Sequence, residues 1–275
     1  MRIALAQQRA DADRGANLAR ALDAMGRAAQ AGARLIVFPE LAIERFFPQR
    51  SRDEQAKTLA EPIPGPMADR IAARAKELSL VTVFNMYELG GGAGLRLFDS
   101  SPVFDADGAL LGVTRMVHIT DYEGFHERAY YHPGDRGAPV YQTRAGRVGV
   151  AICYDRHYPE YMRALGVAGA QLVVIPQAGT VGEWPEGMYE AEVRTAALQN
   201  GYFTALCNRV GREDTLNFSG ESFVTDPEGR VVARGKGGVE DLMVVDLDLE
   251  ACERSPARRL FWRDRRPELY GKWLA

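Results

Sequence analysis

The sequence predicts an α/β fold in which amphipathic helices cover β-sheets. Two fully apolar segments, residues 35–38 (LIVF) and 172–175 (LVVI), are typical of strands that are buried on both faces. Amphipathic helices alternate with such strands, and in residues 17–31 the apolar side chains recur with a period of 3.6 residues. The unit that runs from MRIALAQ to LIVFPE also resembles the unit that runs from RVGVAICYD to LVVIPQ, which indicates an internal pseudo-repeat.

The first half of the chain alternates between these two patterns. A short apolar strand opens the chain, and a helix of 3.6-residue period connects it to the next apolar strand. The Pro- and Gly-rich turn EPIPGP then starts a second helix. The predicted strands are residues 2–7, 35–38, 80–85, 97–104 and 110–118, and the predicted helices are residues 17–31 and 67–78. Turns are predicted at residues 90–95 (GGGAGL) and 105–108 (DADG), and the first lacks the Lys-Ser/Thr pair of a phosphate loop.

The second half repeats the alternation and ends in a hairpin and an Arg-rich segment. The sequence DPEG at residues 226–229 is a strong turn signal. The predicted strands are residues 147–152, 172–175, 202–208 and 242–246, and the predicted helices are a short one from Pro159 and residues 186–199. No linker or low-complexity segment divides the sequence, so we expect one domain over residues 1–275.

Composition excludes several classes of partner. The 275 residues carry a formal net charge of −3, so nothing favours binding to nucleic acid or to an anionic membrane surface. No apolar run is long enough to span a bilayer, and the N-terminal residues lack the apolar core of a signal peptide. The three cysteines are too few and too widely spaced for a disulfide framework or a zinc site. We therefore expect a cytoplasmic protein without a metal.

Two chemically useful side chains follow apolar strands. Glu40 comes after LIVFP and Cys153 after VGVAI, and functional groups in such sheets gather at the carboxyl ends of strands. The segment GVAICYDRHYPE resembles a strand-turn-helix elbow, where the N–H of Tyr154 could bind an oxyanion. A free cysteine is also commonly a small core residue, and a glutamate at a strand end is commonly solvated. Cys207 and Cys252 are interpreted as structural.

A thiol near neutral pH needs a base, and a carboxylate serves as that base only when burial or a neighbouring charge raises its pKa. A second acidic residue close to Glu40 would have that effect. Glu127, in the segment GFHERAYYHPGD, is the candidate for this second carboxyl group.

Three segments together resemble a known family. FPEL (residues 38–41), GFHERAYYHPGD (124–135) and ICYDRHYPE (152–160) look like the motifs of the nitrilase superfamily of carbon–nitrogen hydrolases, in the same order. The stretches YYHPGDRGAPVYQTRAGRVGVAICYDRHYP and GYFTALCNRVG resemble most the branch of β-ureidopropionases and N-carbamoyl amino acid amidohydrolases. The resemblance covers nearly the whole chain.

The resemblance implies a four-layer αββα sandwich and a reaction. Glu40 matches the general base, Cys153 matches the nucleophile, and Glu127 matches a glutamate that orients the site. The family attacks an amide, carbamoyl or nitrile carbon, releases ammonia and hydrolyses a thioester, and it needs no metal or cofactor. Members commonly dimerise through their C-terminal segments, so residues 255–275 are expected to lie in a homodimer contact; a solvated basic tail is the alternative.

One position departs from the family. The family's lysine precedes a histidine by two residues, whereas this chain has Met116 before His118 and no lysine between Lys76 and Lys236. Three explanations are open. A hydrolase could use another donor, such as Arg115 or a backbone N–H, although strand alternation places Arg115 on the opposite face from Met116. The chain could instead be a silent relative that binds a small ligand or partner, or Met116 could be an engineered change that traps a substrate.

Four residues are candidates for substrate contacts. Arg156 and His157 follow Cys153 and could meet a substrate carboxylate, or they could pair locally with Asp155 and Glu160. The other two candidates are Tyr154, through its N–H, and Gln177, in a segment (QAGTVGEW) that lines the pocket in this family. The favoured function is hydrolysis of a small amide or N-carbamoyl compound, and the alternative is a catalytically silent binding protein.

Overall fold

A computed structural model describes residues 1–91 and 94–273 of the chain. Its strands, in chain order, are β1 (Arg2–Gln7), β2 (Leu35–Val37), β3 (Val81–Val83), β4 (Met86–Gly90), β5 (Arg96–Phe104), β6 (Leu110–Arg115), β7 (Val140–Thr143), β8 (Gly146–Val150), β9 (Leu172–Gln177), β10 (Phe203–Asn208), β11 (Val210–Glu213), β12 (Leu216–Ser219), β13 (Phe223–Thr225), β14 (Val231–Arg234) and β15 (Asp241–Asp246). Its helices are α1 (Arg14–Gln30), α2 (Pro66–Leu78), α3 (Pro159–Val167), α4 (Met188–Asn200), α5 (Ala251–Arg254) and α6 (Pro267–Trp273).

The strands form two main sheets. The first has the order β15-β1-β2-β3-β5-β4, with β6 paired to β5, and the second has the order β14-β13-β10-β9-β8-β7. Strands β1, β2 and β3 are parallel, as are β8, β9 and β10. The units β1-α1-β2 and β8-α3-β9 are therefore equivalent parallel crossovers in the two sheets, which confirms the predicted pseudo-repeat.

Alternation along the strands produces four layers. In β1, Ile3 and Leu5 belong to a buried cluster that contains residues of both sheets, whereas Ala4 and Ala6 pack with α1 and α2. A third cluster joins the outer face of the second sheet to α3 and α4. The two sheets thus pack face to face with helices outside each, and the αββα sandwich is confirmed.

Local hydrogen bonds explain where the predicted element bounds were wrong. Helix α1 begins at Arg14 rather than at residue 17, because the Asp13 side chain caps it by accepting from the Ala16 N–H at 3.0 Å. Strand β6 ends at Arg115 rather than at His118, because the N–H groups of Val117 and His118 donate to the Asp155 side chain instead of to a strand. Helix α4 begins at Met188 rather than at residue 186, after Gly187 with φ of 81°.

The predicted turns at 105–108 and 226–229 are confirmed. Each closes with a bond from the glycine N–H to the aspartate carbonyl, and Gly108 and Gly229 have φ of 83° and 77°. The predicted turn at 90–95 lies between β4 and β5, which pair as a hairpin; its residues 92–93 lie outside the described residues. Within residues 1–91 and 94–273, no helix has the length and apolar character that crossing a membrane requires.

Candidate active site

Cys153 lies just beyond the carboxyl end of β8 and opens a 3₁₀ turn over Cys153–His157. Its φ of 42° lies in the left-handed region, which costs a non-glycine residue on the order of 1 kcal/mol or more. The turn closes through a bond of 2.9 Å from the Asp155 N–H to the Ile152 carbonyl. The sequence correctly predicts a sharp turn at the sheet edge, and Cys153 is 5% exposed there.

Glu40 lies beyond the carboxyl end of the neighbouring sheet's β2 and is fully buried. Neither of its carboxyl oxygens has a hydrogen-bond partner among the described residues. Arg209 holds the backbone here, because its Nη1 donates to the carbonyls of Glu40 at 2.9 Å and Leu41 at 2.6 Å. The Asn85 side chain accepts from the Leu41 N–H at 2.6 Å. The loop is therefore fixed by buried polar groups while the carboxyl group itself is unpaired.

Glu127 begins a short 3₁₀ turn over Glu127–Ala129 and is also fully buried. Its Oε2 accepts from the Thr120 N–H at 3.3 Å, and its Oε1 has no partner among the described residues. The structure brings the three predicted catalytic residues together: carboxylate oxygens of Glu40 and Glu127 and the sulfur of Cys153 all lie within 4.8 Å of one another. Because these residues come from both sheets and a loop, the site lies between the sheets.

Sequence reasoning missed two buried polar groups at this site. Asp99, on β5, is buried, and desolvation and then the charge of the nearby Glu40 raise the pKa of its carboxyl group. Its Oδ1 accepts from the Asn85 side chain at 2.5 Å, and its Oδ2 has no partner in the described part of the chain. The Tyr131 hydroxyl is also buried with no partner among the described residues, and desolvation and then the charges of Asp99, Glu40 and Glu127 raise its pKa. The sequence signal for Asp99 was an acidic residue inside a buried strand.

Met116, at the family's lysine position, is 1% exposed and lies in the same core cluster as Cys153 and Tyr131. Its N–H donates to the Asp99 carbonyl at 2.9 Å, so Met116 and Asp99 are neighbours across the sheet. The hypothesis that Arg115 substitutes for the lysine is wrong. Arg115 forms a bidentate ion pair with Glu88 at 2.6 and 2.9 Å and donates a hydrogen bond to Asp135 at 2.8 Å. Its charge is therefore balanced by these two carboxylates and is not directed at Cys153.

Asp155 ties the cysteine turn to the segment after β6. Its carboxylate accepts from the N–H groups of Val117 and His118 and contacts the His118 Nδ1 at 2.7 Å. The His118 ring stacks on Tyr158 with ring centres 3.5 Å apart. Asp155 therefore fixes the elbow, because the residue two positions after Cys153 anchors the chain next to Met116.

Gln177 and Arg156 both contact the nucleophile's residue. The Gln177 side-chain amide donates to the Cys153 sulfur at 3.3 Å, and its oxygen accepts from Arg156 Nη1 at 3.0 Å. Arg156 Nη1 also donates to the Cys153 carbonyl at 2.9 Å. The guanidinium pairs with Glu192 at 3.5 Å, and its Nη2 is buried without a partner among the described residues.

His157 and Tyr154 lie at the outer side of the turn. The His157 Nδ1 contacts Glu192 at 2.7 Å, and its ring packs edge-on against Tyr154 and Trp184. The alternative that Arg156 and His157 pair locally with Asp155 and Glu160 is wrong, since both pair with Glu192 on α4. That partner is distant in sequence, so spacing alone did not identify it.

Burial and like charges raise the pKa of every acidic group in the site. Desolvation, and then the charge of Glu127, raise the pKa of Glu40 to about 8. Desolvation also raises the pKa of Asp99 and of Glu127, with a further contribution from neighbouring carboxylates. The same causes raise the pKa of the Cys153 thiol, against a smaller opposite effect from Arg156. A raised pKa favours the protonated form of each of these groups.

Glu40, Glu127 and Cys153 also have the ligand types and the spacing that could hold a metal ion. The chemistry of nucleophilic catalysis needs the same three groups free, with the thiol next to a base. The contact from Gln177 to the sulfur and the closeness of Glu40 to the thiol fit this second use.

Comparison with characterised proteins identifies the family. The family model described as carbon-nitrogen hydrolase matches residues 2–257. The N-carbamoylputrescine amidase of Solanum lycopersicum is 33% identical over 92% of this chain and 88% of its own. The beta-ureidopropionase of Arabidopsis thaliana is 32% identical over 82% of this chain and 59% of its own.

Solved structures agree. A carbon-nitrogen hydrolase from Helicobacter pylori G27 superposes with a TM-score of 0.93, at 27% identity over 100% of this chain and 98% of its own. An amidase from Nesterenkonia sp. AN1, of the nitrilase superfamily, superposes with a TM-score of 0.82, at 28% identity over 99% and 96% of the two chains, in a form with the acetamide moiety of fluoroacetamide covalently added to its active site cysteine. The chain described here belongs to the carbon-nitrogen hydrolase family, in the nitrilase superfamily.

Proposed function

We propose that the protein hydrolyses a non-peptide carbon–nitrogen bond of a small amide or N-carbamoyl compound, with Cys153 as nucleophile. One observation carries the proposal: the thiol and two fully buried carboxyl groups lie within 4.8 Å of one another between the two sheets. A buried carboxyl group with a raised pKa is a suitable base at neutral pH. Relatives named for N-carbamoyl and amide substrates support the substrate class.

The proposed reaction has two steps. The ionised Glu40 accepts the Cys153 proton while the sulfur attacks the carbonyl carbon, and the proton passes to the departing nitrogen, which leaves as ammonia. Water then attacks the thioester with Glu40 as base, which releases the acid and restores the thiol. Glu127, buried beside both groups, orients them, and its hydrogen bond from Thr120 fixes one of its oxygens.

Met116 limits the rate of this reaction. The family's lysine would supply a positive charge to the developing oxyanion, and the loss of one oxyanion donor costs roughly 10²–10³ in rate. The Tyr154 N–H, at the turn that follows Cys153, is the donor we propose in its place. We therefore expect turnover of neutral amides that is slow relative to lysine-containing relatives.

The other contacts in this proposal concern the rest of the substrate and the assembly. Arg156, whose Nη2 has no hydrogen-bond partner among residues 1–91 and 94–273, would bind a carboxylate on the substrate, with His157 and Gln177 beside it. We propose a homodimer that uses the C-terminal segment, where Leu260, Phe261 and Trp273 are exposed. The free thiols Cys153, Cys207 and Cys252 fit a reducing, cytoplasmic location. A single domain over residues 1–275 remains part of the proposal.

The catalytically silent alternative is not favoured, because the base, the second carboxyl group and the nucleophile are all present and assembled. The test is ammonia release over a panel of N-carbamoyl amino acids, ω-amides and small amides. Cys153→Ala should abolish release, whereas Cys252→Ala, a buried thiol that bonds the Gln171 carbonyl elsewhere, should retain it. Ammonia release that survives Cys153→Ala would refute the proposal.

A further inference from the structure

The reacting site contains three acidic side chains that form no ion pair with a cationic side chain in the described part of the chain. Glu40, Asp99 and Glu127 are each at most 1% exposed, and each presents at least one oxygen without a hydrogen-bond partner among the described residues. No lysine or arginine of residues 1–91 and 94–273 forms an ion pair with any of these three carboxyl groups. Burying carboxylates without a counter-charge is unfavourable, so a ligand that supplies positive charge is favoured there.

The two nearby guanidinium groups form ion pairs and hydrogen bonds with other groups. Arg209 pairs with Glu213 and donates to the backbone carbonyls of Glu40, Leu41 and Glu44. Arg156 pairs with Glu192 and donates to the Cys153 carbonyl and to Gln177. Neither contacts the three carboxyl groups, and Met116 is neutral. The negative charge that Glu40, Asp99 and Glu127 carry when ionised is therefore not balanced by either guanidinium group.

This imbalance is a poor match for a neutral amide carbonyl and a good one for a cationic carbon centre. Thiolate attack on an amide creates an oxyanion, which three adjacent carboxyl groups repel unless they are protonated. Attack on an amidinium or guanidinium consumes a positive charge and creates no anion. The N–H groups on the two or three nitrogens attached to such a carbon can donate to carboxylates on more than one side.

We propose that the same site hydrolyses a cationic amidine or guanidine, with Glu40, Asp99 and Glu127 receiving the N–H groups of the reacting carbon and Cys153 attacking it. This further activity rests on the proposed function, because it uses the same nucleophile and the same base. Asp99 becomes a substrate-binding residue in this reaction. Met116 contributes an uncharged side chain at a position where a lysine would repel the cationic substrate.

The chemistry balances without a co-reactant other than water. The Cys153 sulfur bonds to the amidinium carbon, the thiol proton passes through Glu40 to one nitrogen, and that nitrogen leaves as ammonia. The remaining cationic thioimidate reacts with water at the same carbon, the carbon–sulfur bond breaks, and the thiol is restored with release of one proton. The sum converts amidinium and water to an amide and ammonium. With a guanidinium the product is a ureido compound, so the reaction would supply substrates for hydrolases of N-carbamoyl compounds.

The test compares isosteric pairs that differ in charge: acetamidine with acetamide, and methylguanidine with methylurea. Ammonia release by the wild-type protein should show a kcat/KM for the cationic member at least about tenfold above that for its neutral partner. Met116→Lys should reverse the preference within each pair, and Asp99→Asn should lower kcat/KM for the cation more than for the neutral compound. Met116→Leu, which changes shape but not charge, should keep the preference for the cation.

A binding measurement covers the case in which these small probes turn over too slowly. Acetamidine should protect Cys153 of the wild-type protein from alkylation by iodoacetamide at lower concentration than acetamide does, and Met116→Lys should remove this difference. Equal or better protection by acetamide would overturn the inference, as would a wild-type preference for the neutral member in turnover.

The outcomes also separate this inference from the proposed function. Turnover of amides or N-carbamoyl compounds through Cys153, with a preference for neutral substrates, would refute the cationic substrate and leave the hydrolase intact. In that case the protons on Glu40 and Asp99 would replace the missing cation. Ammonia release from either class that is independent of Cys153 would refute both.

Discussion

The Gln177 side-chain amide donates a hydrogen bond of 3.3 Å to the Cys153 sulfur, while its oxygen accepts from Arg156. A donor to sulfur stabilises the thiolate relative to the thiol, and no cationic side chain in the described part of the chain hydrogen-bonds to the sulfur. Gln177 lies at the carboxyl end of β9, next to the strand that leads into Cys153. The two strand ends thus form one unit in which Gln177 joins the nucleophile to the buried guanidinium.

Replacing Gln177 with Leu should slow Cys153 chemistry. The thiolate loses its donor and Arg156 loses an acceptor, so we expect alkylation of Cys153 by iodoacetamide and kcat to fall by roughly 10- to 100-fold. Gln30→Leu, at the exposed end of α1, is the matched control and should react like wild type. A Gln177→Leu variant with wild-type alkylation kinetics would show that the contact to sulfur is incidental.

The pH dependence of activity should follow Glu40. Its pKa is raised to about 8, so the fraction of ionised base grows as the pH rises from 6 to 8. We expect kcat/KM to increase over this range and to level off above it, because kcat/KM reports the free enzyme. Glu40→Gln should remove both the activity and the rise. A profile that is flat between pH 5 and 8 would contradict Glu40 as the base.

Stability should depend on pH in the opposite direction. Because the pKa of Glu40 is higher in the folded state than in the unfolded state, the folded protein binds more protons between pH 4.5 and about 8, and the free energy of unfolding falls as the pH rises through this window. Glu40→Gln removes this cost and should raise the free energy of unfolding at pH 8 by on the order of 3 kcal/mol, with little effect at pH 4.5. Denaturant unfolding at both pH values measures the difference, and a destabilised variant at pH 8 would contradict the prediction.

Arg209 should be required for the fold around Glu40. Arg209→Met removes four hydrogen bonds to Glu40, Leu41, Glu44 and Glu213 and leaves the Glu213 charge buried, so we expect a loss of about 3–5 kcal/mol of stability. The double variant Arg209→Met with Glu213→Leu should recover part of this loss in denaturant unfolding. Equal stabilities of the single and double variants would argue against a paired charge.

Metal chelation should have no effect on activity. Although Glu40, Glu127 and Cys153 could ligate an ion, the proposed reaction needs their carboxyl groups and thiol free of metal. Dialysis against EDTA should leave ammonia release unchanged, and added Zn²⁺ should inhibit by binding the thiolate. Activity that is lost on chelation and restored by a divalent ion would replace this account with a metal-dependent one.

The sequence predicted those features that depend on local pattern. Apolar strands and amphipathic helices predicted the alternation of elements, and strand-end position with the family resemblance predicted Glu40, Glu127 and Cys153, which the structure brings together. Met116 at the lysine position was also visible, once the family resemblance had marked that position.

Contacts between distant elements could not be read in the same way. Asp99 looks like one polar residue in a strand until β5 is placed beside the Glu40 loop, and Arg209 looks like a surface arginine until its guanidinium is found buried under that loop. Arg115 was a conceivable donor until its partners Glu88 and Asp135 were known. Each of these depends on tertiary packing, which residue spacing does not contain.

As the proposed nucleophile, Cys153 should form a covalent intermediate during hydrolysis of a carbon–nitrogen bond. The most direct test is rapid acid quench of the wild-type protein during turnover, followed by peptide mass mapping. We expect a mass increase on the peptide that contains Cys153, equal to the acyl or imidoyl group of the substrate. The peptides that contain Cys207 or Cys252 should show no such increase. Sustained turnover with no adduct on Cys153, in a protein whose Cys153→Ala variant still releases ammonia, would contradict it.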